Sequence, residues 1–374
     1  MISTLATEKI IYQCSAVDIT KGGGLETYIA SLINSHMPGV KNAHLPALKY
    51  LKRDNCVLLH LHDPECLGEL TGELPAIFTL HNHCSYCPSG TKYLAAQQKP
   101  CDRTMHPLGC TWGHFVDKCG CRRPQVLSQK LWNTHHFLEN LKKINIPVIA
   151  NSNYIREQII SNGLPPERVT TLHCGVQKPK SPAAKLRADI HQNQRILFVG
   201  RIVPDKGLEW LIKALAQTDS HIHLDIAGEG WERPRLEQLS AQMGLSDRIT
   251  WHGWCQGEKL ESLYHNCFAV VFPSLWPEPA GLVTLEAYAR YRPVIASAVG
   301  GIPEHIQDGK TGILIPPLKI EKLAQAINQL AHNHEQTRLM GEQGQAWYEQ
   351  EFTLDIHIQR LKKIYDTTIA EFRY

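Results

Sequence analysis

Long apolar runs are missing from this chain. No stretch approaches the ~20 apolar residues that a membrane span requires. Met1–Lys9 lacks the apolar centre of a secretion signal, so the expectation is a chain kept in the cytosol, at most at the inner face of a membrane. An excess of one charge is missing too. The 39 Lys and Arg against 36 Asp and Glu leave +3, too little to argue for nucleic-acid binding. No two aspartates are separated by a single residue, so no such pair is available to hold a divalent cation. Gly309-Lys310-Thr311 ends like a P-loop, but Glu304 stands where the earlier glycine belongs. Gly228-Glu229-Gly230 begins like a dinucleotide fingerprint, but Arg233 replaces its third glycine, which argues against a dehydrogenase.

What remains is an alternation. Short apolar strands and amphipathic helices follow one another through 374 residues, which predicts α/β layers with parallel sheets. The length suits two domains. Strands are expected at Lys9–Cys14, Asn55–Leu61, Ala76–Leu80 and Pro147–Ala150, with a helix over Leu25–Ile33. Gly175–Ala184 is rich in Pro and Lys and reads as a linker. Beyond it, strands are expected at Arg195–Val199, Ile222–Ala227, Ile249–His252, Ala269–Phe272, Val294–Ala298 and Gly312–Ile315. Helices are expected at Gly207–Gln217, Arg233–Met243, Leu318–Leu330, Glu335–Phe352 and Leu354–Phe372. This predicts two Rossmann-like, doubly wound domains facing across a cleft, residues 1–178 and 179–352. The last helix, 353–374, is expected to pack back on the first domain. Between Cys84 and Pro124 the alternation breaks into a stretch holding six of the twelve cysteines, read as an insertion.

The strongest local signal is Trp276-Pro277-Glu278-Pro279-Ala280-Gly281-Leu282-Val283-Thr284-Leu285-Glu286, a strand end, a loop and a helix start. A helix start offers unpaired N–H groups to an anion. Glu278 in the loop suits sugar hydroxyls, and Glu286 further on suits a ribose diol. Gly200-Arg201 and Lys206-Gly207 follow a strand, where two cations suit a diphosphate. Gly22-Gly23-Gly24 precedes a helix and fits a phosphate approach or an ordinary tight turn. His81 ends a strand, where a cleft residue would lie. Taken singly, each of these signals also fits an exposed loop or a structural residue. Together they point one way.

Together these residues resemble glycosyltransferase family four, the retaining GT-B enzymes. FVGRIVPDKG, IAGEG, FPSLWPEPAGLVTLEA, VGGIPE and DGKTGILIPP stand in that family's order, and Glu278 and Glu286 match its Glu-x7-Glu pair. GGGLETY, HLHD, FTLH and ANSNYIREQI match more loosely. Ala280 departs from the Phe of many members. The resemblance implies a metal-independent transfer of a sugar from a nucleoside-diphosphate sugar, UDP- or GDP-linked, to an acceptor hydroxyl in glycan, polysaccharide or glycoconjugate synthesis. It implies that Arg201 and Lys206 balance the diphosphate and that Glu278 holds the sugar and Glu286 the ribose. Gly22, Gly23, Gly24, Gly200, Gly228, Ala280, Gly281, Leu282 and Val283 would contact the donor, Trp254 would frame the base, and His81 would line the acceptor side. The acceptor would be a glycan, a lipid-linked molecule or a small metabolite. The basic pairs Arg122-Arg123 and Lys142-Lys143 could meet an anionic acceptor or a membrane surface.

Cys87, Cys101, Cys110 and Cys119 match four cysteines that many members carry after the same turn. Spacing leaves structural zinc, disulfides and free thiols open. Two rival functions share the fold class: a nucleotide-sugar epimerase, which would change donor sugar without an acceptor, and a non-catalytic nucleotide-sugar-binding partner. The Glu-x7-Glu pair weighs against the first, and intact Glu278, Arg201 and Lys206 against the second.

Overall fold

The computed structural model describes residues 10–16, 24–35, 39–44, 56–70, 72–180, 185–186 and 194–372. The chain forms two compact units, residues 1–97, 101–173 and 355–374 in one, 98–100 and 174–354 in the other.

The first unit holds β1 (Ile10–Ser15), α1 (Gly24–Ile33), β2 (Val40–His44), β3 (Cys56–Leu61) and β4 (Ala76–Leu80). After β4 come α2 (Pro107–Phe115), α3 (Pro124–Lys143), β5 (Val148–Ala150), α4 (Asn153–Ser161) and β6 (Val169–Thr171). All six strands pair in parallel, in the order β2-β1-β3-β4-β5-β6. A parallel sheet is covered on both faces, so its central strands are continuously apolar. Every residue of β4 is buried. Ser152 starts α4 by accepting from the Ile155 amide at 3.2 Å.

The second unit holds β7 (Arg195–Val199), α5 (Leu208–Leu215), β8 (His223–Ala227), α6 (Arg233–Gln242) and β9 (Ile249–Gly253). Then follow α7 (Gly257–Asn266), β10 (Ala269–Phe272), α8 (Leu282–Tyr288), β11 (Val294–Ser297), β12 (Gly312–Ile315), α9 (Ile320–His332) and α10 (His334–Glu351). Its sheet is also parallel, ordered β9-β8-β7-β10-β11-β12. Strand order therefore reverses between β7 and β10. At such a switch point the two loops leaving the strands diverge and open a crevice at their carboxyl ends.

The chain enters and leaves this unit side by side. The Val176 amide donates to Phe352 O at 3.0 Å and the Leu354 amide to Val176 O at 3.0 Å. The Pro- and Lys-rich segment thus begins pinned, not free. The last helix, α11 (Leu354–Glu371), buries Leu361 and Tyr365 with Ile29, Leu32 and Leu58 in the first unit's core.

One feature of the first unit lies outside ordinary core building. On α2, Leu108, Trp112 and Phe115, with Val116 just beyond, are 78%, 60%, 45% and 48% exposed. Their spacing puts them on one helix face. Among the described residues no helix is long and apolar enough to cross a membrane.

Candidate active site

The switch point of the second sheet gathers the strongest motif residues. Gly200 follows β7 and Gly228 follows β8, with φ of +154° and +156°. A Cβ on Gly228 would come within 1.8 Å of Gly200 O. The two loops can cross only because no side chain stands between them. Both glycines were expected against the donor; the structure gives Gly228 a packing reason of its own and Gly200 a backbone one, its positive φ.

Lys206 sits in the loop after β7 and Glu278 in the loop after β10. Their strands flank the switch, so residues 72 positions apart come together. Lys206 Nζ donates to Glu278 Oε1 at 2.5 Å. Ser274 Oγ donates to the same oxygen at 2.8 Å. Both side chains are nearly enclosed, 14% and 8% exposed. The Lys206 ammonium also lies 5.0 Å from the Trp276 ring centre, in cation–π range. Sequence reading placed Lys206 on a diphosphate and Glu278 on a sugar, and the folded chain pairs them with each other. The two loops are further tied by the Leu275 amide, which donates to Asp205 O at 2.8 Å. Arg201 is exposed and has no ion-pair partner among the described residues. The crevice therefore holds a neutralised pair and one outward cation.

Gly281 caps α8 in the left-handed region, φ +66° and ψ 44°. An added Cβ would stand 3.2 Å from Ile302 Cγ1 in a backbone conformation that side chains disfavour. Ala280 beside it is buried, and Leu282 and Val283 form the first turn of α8. Glu286 follows one turn later, half-buried. Its Oε2 accepts from Tyr264 Oη at 3.1 Å, and Oε1 has no partner among the described residues. Burial raises the Glu286 carboxyl above the usual range, and nearby Arg290 pulls the other way. Arg290 itself pairs with Glu261 and lies 4.6 Å from the Tyr264 ring centre. Trp254 is 63% exposed after β9. Ser274, Trp276, Tyr264 and Arg290 escaped sequence reading. Only Ser274 and Trp276, inside the motif, carried a signal that could have found them.

In the first unit, half-buried His81 follows β4 as expected and joins a chain of rings, of which His60, His62 and His357 are buried. His81 Nε2 lies 2.8 Å from His62 Nδ1, and His62 Nε2 lies 2.9 Å from Gln13 Oε1. His60 lies 2.6 Å from both Tyr365 Oη and Thr79 Oγ1. His357 Nε2 lies 2.9 Å from Tyr28 Oη, whose ring centre is 5.0 Å from that of His81. Burial, and then His357, depresses the His81 imidazolium to about 3. Burial depresses His357 to about 4 and holds His60 and His62 well below the usual value. At neutral pH all four are uncharged, so His81 can accept or donate one proton but presents no cation. The HLHD segment hinted at His60 and His62. Nothing local pointed to His357. Gly22 and Gly23 lie outside the described residues, and Gly24 is the first residue of α1.

The four matched cysteines come together. Cys87, Cys101, Cys110 and Cys119 line one small cavity, and all are free thiols.

Comparison with known proteins bears on this geometry. The profile of the family described as glycosyl transferases group 1 matches residues 184–347. The D-inositol 3-phosphate glycosyltransferase of Streptomyces bingchenggensis is 30% identical over 365 residues, 90% of this chain and 77% of that one. The alpha-D-kanosaminyltransferase of Streptomyces kanamyceticus is 37% identical over 150 residues, 39% of each chain. The chain thus spans under half the length of some curated relatives that it matches. Among solved structures, Anabaena HepE in complex with UDP and glucose aligns with a TM-score of 0.70 at 20% identity, covering 96% of this chain and 100% of that one. Sucrose-phosphate synthase from Thermosynechococcus elongatus aligns with 0.73 at 21%, covering 97% and 100%. Two parallel α/β units, a paired Lys206 and Glu278 at the switch of the second, and likeness to a relative along nine-tenths of the chain converge: the chain belongs to the group 1 glycosyl transferases of GT-B fold.

Proposed function

We propose that the chain is a retaining glycosyltransferase that needs no divalent metal and moves a sugar from a nucleoside-diphosphate sugar to an acceptor hydroxyl. The observation that carries this reading is the enclosed Lys206–Glu278 pair at the switch point, with exposed Arg201 on the same loop as Lys206. The bond from the sugar's anomeric carbon to the diphosphate oxygen breaks as the acceptor oxygen bonds to that carbon. Negative charge grows on the leaving diphosphate, where Arg201, Lys206 and the amides of Leu282 and Val283 stabilise it. The acceptor proton passes to a departing phosphate oxygen, so attack comes from the face that the leaving group vacates. Glu278 accepts donor-sugar hydroxyls and Glu286 Oε1 the ribose. Trp254 frames the base, and neutral His81 lies on the acceptor side.

The donor is the first thing to measure. A thermal-shift screen of nucleoside-diphosphate sugars should single one out, because a ligand at 100 times its Kd adds about 2.7 kcal/mol. UDP-sugars lead the screen, since HepE was crystallised with UDP and glucose. Transfer with that donor should yield a product of unchanged anomeric configuration by NMR. Activity should survive EDTA. Inverted product, or activity lost to EDTA and restored by magnesium, would refute those two features separately.

Glu286→Gln should weaken donor and free nucleoside diphosphate alike, by about 1–3 kcal/mol for a lost charged hydrogen bond. Turnover at saturation should change little, because ribose contacts are the same before and during bond cleavage. Its raised carboxyl adds a pH signature. Donor KM should rise as pH falls toward that raised value and the carboxylate is protonated. Equal KM for variant and parent by steady-state kinetics would sink the ribose role.

The apolar face of α2 supports a peripheral membrane position. Exposed Lys118, Arg122, Arg123 and Lys130 follow it in sequence, suiting anionic lipid. Flotation with phosphatidylglycerol vesicles should carry the chain, and Leu108→Asp with Trp112→Asp should abolish it. Equal flotation of parent and variant would remove this reading.

A further inference from the structure

Cys87, Cys101, Cys110 and Cys119 stand on four different stretches of chain between β4 and α3, yet line one cavity. None is in a disulfide. His114 lines it too, with Nδ1 3.6 Å from Cys119 Sγ and 2.8 Å from Cys110 O. The walls are fitted closely: a Cβ on Gly113 would come 3.1 Å from Cys119 Sγ, and one on Gly120 2.7 Å from His114 Nε2.

The charges around the cavity are out of balance. Lys92 lines it at 3% exposure, donates to Arg103 O at 2.6 Å and has no ion-pair partner among the described residues. Arg103 lines it as well, its one carboxylate partner being Asp117. A buried ammonium held only by a carbonyl is costly unless negative charge lies nearby. Neutral thiols supply none.

We propose that this cavity is a structural zinc site whose ligands are the thiolates of Cys87, Cys101, Cys110 and Cys119. Four thiolates and one Zn²⁺ carry a net charge of −2, of which buried Lys92 offsets one, while half-exposed Arg103 is already paired with Asp117. Binding releases four thiol protons to solvent, and no electron changes hands. The His114 Nδ1–H donates to Cys110 O at 2.8 Å, which fixes the ring beside the Cys119 sulfur, 3.6 Å away. In the structure no three of these sulfurs lie within 4.8 Å of one another, so capture draws them inward by rotation about the Cα–Cβ bonds. The site fastens the segment that follows His81.

A rival cation site exists. Asp219, His221 and His332 place their ligand atoms within 4.8 Å of one another at the surface. The test separates the two. The untagged chain, purified without chelator, should carry one zinc by elemental mass spectrometry. Cys101→Ser with Cys110→Ser should lose it and melt at lower temperature, while Cys84→Ser with Cys121→Ser, and His332→Ala, should keep it. If the double serine variant does not fold, stripped parent protein loaded with Co²⁺ answers instead. A tetrahedral cobalt spectrum with strong thiolate charge-transfer bands is expected. Zinc lost in His332→Ala but kept in the serine variant would overturn the proposal. So would a metal-free chain with four titratable or disulfide-bonded cysteines, or a cobalt spectrum without thiolate bands.

Discussion

Glu278→Gln should lower turnover by about 100-fold or more, near 3 kcal/mol, while free nucleoside diphosphate still binds. The change keeps the size of the side chain and its contact with Ser274, so the fold should survive. What it removes is the charge that faces Lys206 at 2.5 Å and, in the proposed reaction, the partner of sugar hydroxyls. An interaction that strengthens as charge develops in the transition state acts on turnover. The pairing sharpens the expectation for binding. Lys206 must exchange Glu278 for a phosphate oxygen when the donor arrives, so removing the competing carboxylate should leave diphosphate affinity unchanged or higher. Lys206→Ala should behave differently. It strands a carboxylate that is 8% exposed, a loss on the order of 3–5 kcal/mol of stability, and it removes a diphosphate contact as well. The double variant Lys206→Ala with Glu278→Gln should recover much of that stability, a coupling that a double-mutant cycle reads directly. Calorimetric titration with the nucleoside diphosphate, run beside steady-state kinetics, decides. Loss of diphosphate binding in Glu278→Gln would mean that the two residues have been given the wrong roles.

The first unit should lose stability steeply in mild acid. His60, His62 and His357 are buried, His81 is half-buried beside them, and all four are neutral in the fold, with His81 depressed to about 3 and His357 to about 4. Each titrates near 6.5 once unfolded. Between those values the unfolded chain binds protons that the folded chain refuses. For a depressed histidine the sign is therefore plain: stability is full above about 6.5 and falls as pH drops toward the folded value. Each group contributes at most about 1.4 kcal/mol per pH unit, so four together reach about 5.6 kcal/mol for one pH unit of fall. That is comparable to the whole stability of an ordinary domain. Thermal unfolding at pH 7.5 and 5.0 should show the transition of the first unit moving down sharply and that of the second unit much less. His357→Gln keeps an acceptor for Tyr28 and removes one titrating group, so its slope with pH should be about a quarter shallower. Equal movement of both transitions, or none, would count against a histidine origin.

Much of the fold could be read from residue order alone. Ala76–Leu80, Arg195–Val199, Ala269–Phe272 and Gly312–Ile315 were expected as strands and are strands over the same residues. They are short apolar runs, largely buried, between helices of clear period, and burial on both sheet faces writes itself as continuous apolarity. The strands of the first sheet that escaped, β2 and β6, are its two edges. An edge strand is paired on one side only, and Val-Lys-Asn-Ala-His and Val-Thr-Thr carry no apolar run to betray it. Helix α3 escaped because it begins where the irregular cysteine stretch ends, and many of its residues face solvent.

The motif around Glu278 and Glu286 was legible because its residues are neighbours in sequence. A strand, a loop and a helix start form one local unit, so spacing alone places Glu278 before α8 and Glu286 within it. Nothing local could pair Glu278 with Lys206, join His81 to His357 across the chain, or gather cysteines at 87, 101, 110 and 119 around one buried ammonium. Those partners are set by which strands lie side by side and where α11 returns, and sheet order is decided by the packing of all elements at once. Residue types and spacing thus determined the fold class and the list of reactive side chains. Tertiary structure decided which charges face each other, because charge pairing and burial depend on distance through space and not along the chain.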